Sequence, residues 1–250
     1  MTFAIHAQIV TEHEVRDGVV TVRDGIISSI EFRSPEDGRP PERKTLEEGR
    51  PEGESPKERC PGGRLMEAGD HYLLPGFIDM HVHGGNGHDF MEADSNAFRE
   101  ITRFHALHGT TALLATTVTA PKEGIEAVLE AAERFRRQPM PYARLLGVHL
   151  EGPFISPKWP GAQNPAHIVP PQPEWIRDWL ARHPSLIRVV TLAPETEGAA
   201  ELVELLASSG VVVSCGHTDA TCAETARAIS RGLSHAAHLF NAMRGFHHRE

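Results

Sequence analysis

The stretch FIDMHVHG, residues 77–84, combines an apolar strand pattern with two histidines at its end. Its apolar residues suit a strand that is apolar on both faces, and glycines follow directly. Because side chains two residues apart in a strand point to the same side, His81 and His83 project together, with Asp79 on that side too. Two imidazoles side by side make a poor core but a good pair of ligands for a divalent metal. The stretch predicts a buried strand that carries a ligand pair; two surface histidines near a turn are the alternative.

Strand-like and helix-like segments alternate from residue 71 onward. The predicted strands are FIDMHVHG, TTALLATTV, ARLLGVHLEG, LIRVVTLAP, VVVSCGHT and the segment SHAAHLFNAM. Near-continuous apolar strands separated by helices are typical of a parallel sheet. We therefore predict an α/β fold, a (β/α)8-type barrel of which about six strands are present. An open doubly wound sheet is the alternative, but no glycine-rich nucleotide fingerprint follows the first strand.

The region before residue 71 divides into two parts. Residues 3–32 read as short strands, with Asp17-Gly18 and Asp24-Gly25 as hairpin signals between them. Residues 34–64 hold six prolines, five glycines and charges of both signs, with almost nothing to bury, which predicts a mobile insertion. The predicted domains are a small β-sandwich portion at 1–33, the insertion and a return strand at 34–70, and a partial barrel at 71–250.

The composition excludes several classes of function. The chain has 250 residues, 40% of them hydrophobic, and a formal net charge of −9, which suits a soluble globular protein and argues against a general nucleic-acid surface. The N-terminus lacks the pattern of a signal peptide, and no apolar run approaches the length of a membrane span. Cys60, Cys215 and Cys222 are irregularly spaced, which indicates a reducing compartment. We expect a cytoplasmic protein that contacts neither membranes nor nucleic acid.

Ligand-type residues recur at the ends of the predicted strands. The third strand ends with His149 and Glu151, the fifth is followed by His217, and the sixth by His238. In barrels and open α/β sheets, ligands bind at the C-terminal ends of the strands. A core histidine is the ordinary explanation for any one of these residues, but the recurrence at one sheet edge predicts a metal site. We expect His149 to support the site, or otherwise to pack or to form hydrogen bonds behind the ligands.

Glu151 suits a position between two cations, because a carboxylate has two oxygens. His81 and His83 could hold one metal and His217 and His238 another, with Glu151 touching both. A catalytic site of this kind keeps an open position for water. Histidine and carboxylate ligands suit zinc, iron, cobalt or manganese, and we predict one or two such cations per chain.

Five motifs carry a resemblance to a known family. PGFIDMHVHG, GVHLEGPFISPKWPGAQNP, VTLAPE, GVVVSCGHTDA and HLFNAM with HHRE are similar, in this order, to the motifs of N-acetylglucosamine-6-phosphate deacetylases in the amidohydrolase superfamily. The resemblance covers residues 1–33 and 71–250. It implies a barrel with a small β-sandwich domain, and the metal-dependent hydrolysis of the acetamide of N-acetylglucosamine 6-phosphate to glucosamine 6-phosphate and acetate. It also implies a homodimer when the protein is full length.

The resemblance also implies roles for individual residues. The main metal would be held by Glu151, His217 and His238, and a second by His81 and His83 in members that keep both histidines. The phosphosugar would be contacted by Gln163, Asn241, Ala242 and Arg249. In this set, Asn241 and Ala242 would act partly through their backbone, and Arg249 would bind the phosphate with its bidentate donors.

Two departures from the family pattern bear on activity. Gln163 stands where members usually carry a histidine that contacts the sugar, and an amide cannot become charged. The family's catalytic aspartate would lie on a later barrel strand, beyond Glu250, and Asp79, Asp89 and Asp219 are not placed to replace it. We expect very low activity from these 250 residues alone, whether they form a fragment or a truncated protein.

Two other readings stay open at this point. Another amidohydrolase, such as a cyclic-amide hydrolase, would share the HxH motif and the barrel, although those enzymes more often use a modified lysine at the position of Glu151. An inactive metal-binding remnant would bind cations without turnover. The products formed from the phosphosugar and from a cyclic amide distinguish the three.

Overall fold

The structure is a computed structural model that describes residues 1–33, 64–139 and 141–246. The chain divides into two compact units, Met1–Pro75 and Gly76–Glu250. Nearly all of the predicted insertion, and Arg249, lie outside the described residues.

Among its described residues, the first unit contains one four-stranded sheet. Its strands are β1 (Thr2–Val10), β2 (Val15–Arg23), β3 (Ile26–Phe32) and β4 (Arg64–Leu73). They are arranged in the order β3-β2-β1-β4, with β1 and β4 parallel and the other neighbours antiparallel. Strand β4 thus brings the chain back beside β1, and the boundary between the units follows it at Pro75 rather than at residue 71.

Only one of the two predicted hairpin turns is a turn. Asp24 and Gly25 connect β2 to β3 with φ values of 50° and 79°, as a tight hairpin turn requires. The turn at Asp17-Gly18 was predicted wrongly, because both residues lie inside β2. A Cβ at Gly18 would come within 2.6 Å of the Glu31 carbonyl oxygen, so this glycine permits close strand packing.

The second unit is built on a six-stranded parallel sheet. Its strands are β5 (Phe77–Val82), β8 (Thr110–Thr117), β9 (Arg144–Glu151), β10 (Ile187–Leu192), β11 (Val212–Cys215) and β12 (Leu233–Ala236). A short antiparallel pair, β6 (Gly84–Gly85) and β7 (His88–Asp89), follows β5. The strand order β12-β11-β10-β9-β8-β5 follows the chain without a reversal. This winding confirms the predicted partial barrel, since a doubly wound sheet reverses its order at a switch point.

Helices connect the parallel strands, as the alternation predicted. They are α1 (Ser95–Leu107), α2 (Lys122–Arg136), α3 (Pro173–Arg182), α4 (Ala199–Ser208) and α5 (Cys222–Ser230). Two of these helices have side-chain caps that accept hydrogen bonds from first-turn amides: Asp94 caps α1, and Thr221 with Glu224 forms a capping box at α5. None of the helices in the described part of the chain is long and apolar enough to span a membrane.

The core of the second unit lies between the central strands and the helices. Leu113 of β8, Leu150 of β9 and Val190 of β10 are fully buried. Strand β5 is different: Phe77 is 59% and Ile78 63% exposed. The prediction of a buried strand was therefore wrong for β5, because within the described residues it pairs only with β8 and forms one edge of the sheet.

Candidate metal centre

The five predicted ligand residues lie at the C-terminal ends of four strands. His81 lies near the end of β5, and His83 follows that strand. Glu151 is the last residue of β9. His217 and His238 each come two residues after a strand, β11 and β12 respectively. Parallel strands place these ends along one edge of the sheet, as the sequence pattern predicted.

The structure brings all five side chains together around the Glu151 carboxylate. Glu151 Oε1 lies 3.1 Å from Nε2 of His81, 3.4 Å from Nε2 of His217 and 3.0 Å from Nε2 of His238. Its other oxygen, Oε2, lies 3.2 Å from Nε2 of His83. The side chains form two potential ligand sets that share Glu151, one with His81 and His83 and the other with His217 and His238.

Backbone carbonyls orient three of the four imidazoles. Nδ1 lies 3.2 Å from the Thr116 oxygen in His83, 3.0 Å from the Trp159 oxygen in His217, and 2.9 Å from the Asn241 oxygen in His238. A carbonyl oxygen only accepts hydrogen bonds, so in each ring Nδ1 carries the proton and donates. Nε2 of the neutral ring therefore points its lone pair at Glu151, as in histidines that bind metals.

The residues fit a divalent cation. Nε2 of His81 lies 3.2 Å from Nε2 of His83, and the same distance separates Nε2 of His217 from Nε2 of His238. Two neutral imidazoles at such a distance direct lone pairs at each other, which repel unless a cation or a proton lies between them. Glu151 is only 2% exposed, and a buried carboxylate also requires a positive partner. Imidazole nitrogens with a carboxylate form a donor set for zinc, iron, cobalt or manganese.

Without a cation, protonated histidines supply that positive charge. Burial alone would raise the pKa of Glu151, but hydrogen bonds with His217, His81 and His83 outweigh it and hold the pKa below its usual value. Burial lowers the pKa of His83 and of His217, but the hydrogen bond of each ring to Glu151, the charge of Glu151 and a backbone hydrogen bond together outweigh burial, so both pKa values are above normal. The site is thus built to hold positive charge next to Glu151.

His149 packs beside His81 and is not a member of either ligand set. Its Nδ1 lies 3.2 Å from the Met80 oxygen, and its Nε2 lies 2.7 Å from Thr191 Oγ1. Its ring packs edge-on against the ring of His81, with 4.8 Å between the centroids. Burial, followed by the charge of His81, lowers the pKa of His149 to about 3, so the ring stays neutral. This arrangement matches the packing and hydrogen-bonding role that we considered for it.

Unusual backbone conformations occur at two of the ligands. His217 has φ 48° and His238 has φ 30°, and Ala242 nearby has φ 48°. Left-handed conformations are costly for residues other than glycine and concentrate at functional sites. Gly161 has φ 56°, and a Cβ on it would lie 3.1 Å from Cε1 of His217 and 3.2 Å from Cβ of Ala242. A Cβ at this position would require His217 or Ala242 to shift slightly, and glycine also adopts this φ without steric cost.

The predicted substrate-binding residues differ in their exposure and in their contacts. Asn241 is exposed, and its backbone already holds His238 through both its oxygen and its amide. Ala242 is half-buried beside Gly161. Gln163 is 7% exposed, and both ends of its amide contact protein groups. Arg249 lies outside the described residues.

The three aspartates that the sequence analysis set aside are engaged in local structure. Asp79 Oδ1 accepts a hydrogen bond from the His81 amide, and Asp89 caps the 3-10 turn that follows β7. Asp219 accepts hydrogen bonds from the side chains of Lys158, Trp159 and Arg244, at 2.8, 2.8 and 3.1 Å. The contacts with Lys158 and Trp159 are the main causes that lower the pKa of Asp219 to about 2.

Glu195 is a residue whose contribution the sequence analysis missed. Its carboxylate accepts a hydrogen bond from the Thr218 hydroxyl and another, of 2.6 Å, from the Asp219 amide. Thr218 and Asp219 directly follow His217, so Glu195 fixes the loop that carries this ligand. The signal was present in the motif VTLAPE, where an acid follows a predicted strand, but no spacing rule pointed to its partner.

Comparison with known proteins relates these residues to a family. A sequence model described as the amidohydrolase family matches residues 72–250, which include every strand that supplies the site. The N-acetylglucosamine-6-phosphate deacetylase of Bacillus subtilis (strain 168) is 39% identical over 247 residues, which cover 97% of this chain and 57% of that relative. The N-acetylgalactosamine-6-phosphate deacetylase of Escherichia coli O157:H7 is 36% identical over 186 residues, which cover 74% of this chain and 49% of the relative. The chain spans about half the length of these curated relatives.

A solved structure shares the fold over the whole chain. It is a mutant N-acetyl-D-glucosamine-6-phosphate deacetylase from Mycobacterium smegmatis in complex with N-acetyl-D-glucosamine-6-phosphate. Its TM-score is 0.81 at 30% identity, and the match covers 100% of this chain and 58% of that chain.

Proposed function

The chain belongs to the amidohydrolase family, and from this premise we propose that the protein is a metal-dependent deacetylase of N-acetylglucosamine 6-phosphate. The products would be glucosamine 6-phosphate and acetate, as in amino-sugar catabolism. The observation that carries the proposal is the convergence of four histidines on Glu151 in a chain whose relatives are named as deacetylases of phosphosugars. We further propose that it acts in the cytoplasm, and its homodimeric state stays a prediction.

The chain's own residues would hold the cation in two sets. Glu151, His217 and His238 would bind the main cation, and His81 and His83 would add a second one that shares Glu151. A bound divalent cation supplies Lewis-acid polarisation of a carbonyl and makes water more acidic at neutral pH. The hydrogen bonds from the histidine Nδ1 atoms to backbone carbonyls keep the ligand atoms aimed at the site before any cation binds.

The reaction requires binding groups and a proton carrier in addition to the cation ligands. The acetamide C–N bond breaks, the acetyl carbon gains the oxygen of water, and the amine leaves with a proton. We propose that Asn241 and Ala242 contact the sugar and that Arg249 binds the phosphate. Asp79, Asp89 and Asp219 all have structural partners, so none of them is assigned as the proton carrier.

The test is acetate release from N-acetylglucosamine 6-phosphate by the chain loaded with zinc or cobalt. We expect release that depends on the metal and stops when the metal is removed with a chelator. The variant Glu151→Gln should release no acetate above the enzyme-free rate. N-Acetylgalactosamine 6-phosphate should be tested in parallel, because a relative is named for that sugar.

Two results would contradict the proposal. Ring opening of a cyclic amide without acetate release would favour a cyclic-amide hydrolase. Binding of the metal without either product, even with substrate in excess over long incubations, would favour the metal-binding remnant. The presence of a glutamate rather than a lysine at residue 151 argues against the first of these outcomes.

A further inference from the structure

The side chain of Gln163 links the backbone of one strand end to the carboxylate of another. Gln163 lies in the loop after β9 and is buried. Its Oε1 lies 2.6 Å from the Thr119 amide nitrogen, and its Nε2 lies 2.8 Å from Oε2 of Glu151. The amide therefore connects the segment after β8 with the carboxylate that all four histidines approach.

The chemistry of these partners fixes which way the amide points. The Thr119 N–H is only a donor, so it must face the carbonyl oxygen of Gln163. The ionised carboxylate of Glu151 is only an acceptor, so it must face the NH₂ group. The reversed amide would place donor against donor and acceptor against acceptor. Gln163 is therefore held at both ends.

The hydrogen bond from Gln163 restricts how Glu151 can turn. Oε2 receives the Gln163 hydrogen bond and also lies 3.2 Å from Nε2 of His83, while Oε1 faces His217 and His238. A carboxylate that accepts a hydrogen bond at one oxygen cannot rotate freely, so the orientation of its plane is fixed. Lone pairs on both oxygens stay available to a cation. A neutral donor orients the group without cancelling the negative charge that attracts a cation.

We propose that Gln163 is a positioning residue that holds the Glu151 carboxylate for the cation, in place of contacting the sugar. The inference rests on the cation site of the proposed function. It concerns cation affinity, so it is tested independently of turnover. Hydrogen-bonding partners of metal ligands commonly change metal affinity by about 10–100-fold when they are removed.

Three substitutions separate this role from a purely structural one. Gln163→His offers one donor and one acceptor nitrogen in its neutral ring, so it can serve both Thr119 and Glu151. Gln163→Glu keeps the shape, but an ionised carboxylate cannot donate to Glu151 and repels it. Gln163→Leu keeps comparable bulk and removes both hydrogen bonds. Gln172→Leu is the matched control, because the Gln172 side chain bonds only to the Pro170 oxygen within the described residues.

The experiment is a titration of the metal-free chain with cobalt, followed by calorimetry and by visible absorption of the bound ion. We expect Gln163→Glu and Gln163→Leu to weaken cobalt binding by about 10–100-fold, with Gln163→His and Gln172→Leu close to the unchanged chain. Unchanged affinity in the Glu and Leu variants would overturn the proposal. So would an equal loss in the His and Leu variants, or weaker binding of glucosamine 6-phosphate without any change in cobalt affinity.

Failure of the proposed function would give a different combination of acetate release and cobalt affinity. If cobalt affinity follows the predicted order but no variant or unchanged chain releases acetate, the deacetylase proposal fails while the role of Gln163 stands. If acetate is released but cobalt affinity is the same in every variant of residue 163, the role of Gln163 fails while the deacetylase proposal stands.

Discussion

At the scale of single residues, the candidate site depends on backbone conformations that most side chains avoid. His217 lies in the left-handed region, and Gly161 packs against its ring from a left-handed position of its own. A non-glycine residue in this region costs about 1–2 kcal/mol. The cost at His217 is offset by the contacts of its ring, with the Trp159 oxygen on one side and Glu151 on the other.

Gly161 allows a test of how tightly the ring of His217 must be held. Gly161→Ala should lower the free energy of unfolding by about 1–2 kcal/mol through its φ value. It should also weaken cation binding, because the new Cβ would lie 3.1 Å from the His217 ring. Urea denaturation and cobalt titration measure the two effects.

Gly210→Ala is the matched control for this substitution. Gly210 has a φ of 74°, and a Cβ there would have no atom within 4 Å. It should show the same conformational cost without any loss of cation affinity. Equal cobalt affinities for the Gly161 and Gly210 variants would contradict the claim that close packing of the loop after β9 holds the His217 ring in position.

At the scale of secondary-structure elements, the site is formed where strands end and loops begin. Glu195 follows β10 and fixes the loop between β11 and α5 through Thr218 and Asp219. A hydrogen bond to a charged group is worth about 1.5–3 kcal/mol. Neighbouring strand ends thus position each other's ligands.

Removal of the Glu195 carboxylate should destabilise this loop. We expect Glu195→Ala to lower the free energy of unfolding by about 1.5–3 kcal/mol and to weaken cobalt binding. Glu201→Ala is the control, because Glu201 forms an exposed ion pair with Arg177 that should contribute about 0–1 kcal/mol. Thermal unfolding of both variants, with and without cobalt, gives the comparison; equal melting temperatures for the two would refute the role of Glu195.

The sequence predicted the strands and the candidate ligands better than it predicted which strand is exposed and which residues contact the ligands. Apolar runs are a local signal, and they were sufficient to predict the six strands. The spacing of His81 and His83 is also local, and it was sufficient to predict that the two rings share one side. The exposure of Phe77 could not be predicted, because it depends on which strands lie beside β5. The turn at Asp17-Gly18 was misjudged because a glycine that permits close strand packing resembles one that forms a turn. The contact between Gln163 and Glu151 requires the loop path, which no periodicity reveals.

At the scale of the whole molecule, the candidate metal centre unites distant parts of the second unit. Its ligands come from four of the six strands of one sheet, between β5 and β12. The two outer strands are edges, and exposed apolar side chains lie on β5 and after β12, such as Met80 and Phe240. Within the described residues, apolar side chains are therefore exposed near both edges of the sheet. Because the ligands meet only when the unit is folded, cation binding should report on the complete site.

The most direct test is the metal content of the purified chain after zinc loading and dialysis. The unchanged chain should keep at least one zinc ion, and His217→Ala with His238→Ala should lose the main ion, held by Glu151, His217 and His238. His81→Gln with His83→Asn should keep one ion fewer than a chain that starts with two. His13→Ala with His108→Ala, which removes two exposed histidines outside the site, should keep the full amount. Undiminished zinc in the variant that lacks His217 and His238 would contradict the account.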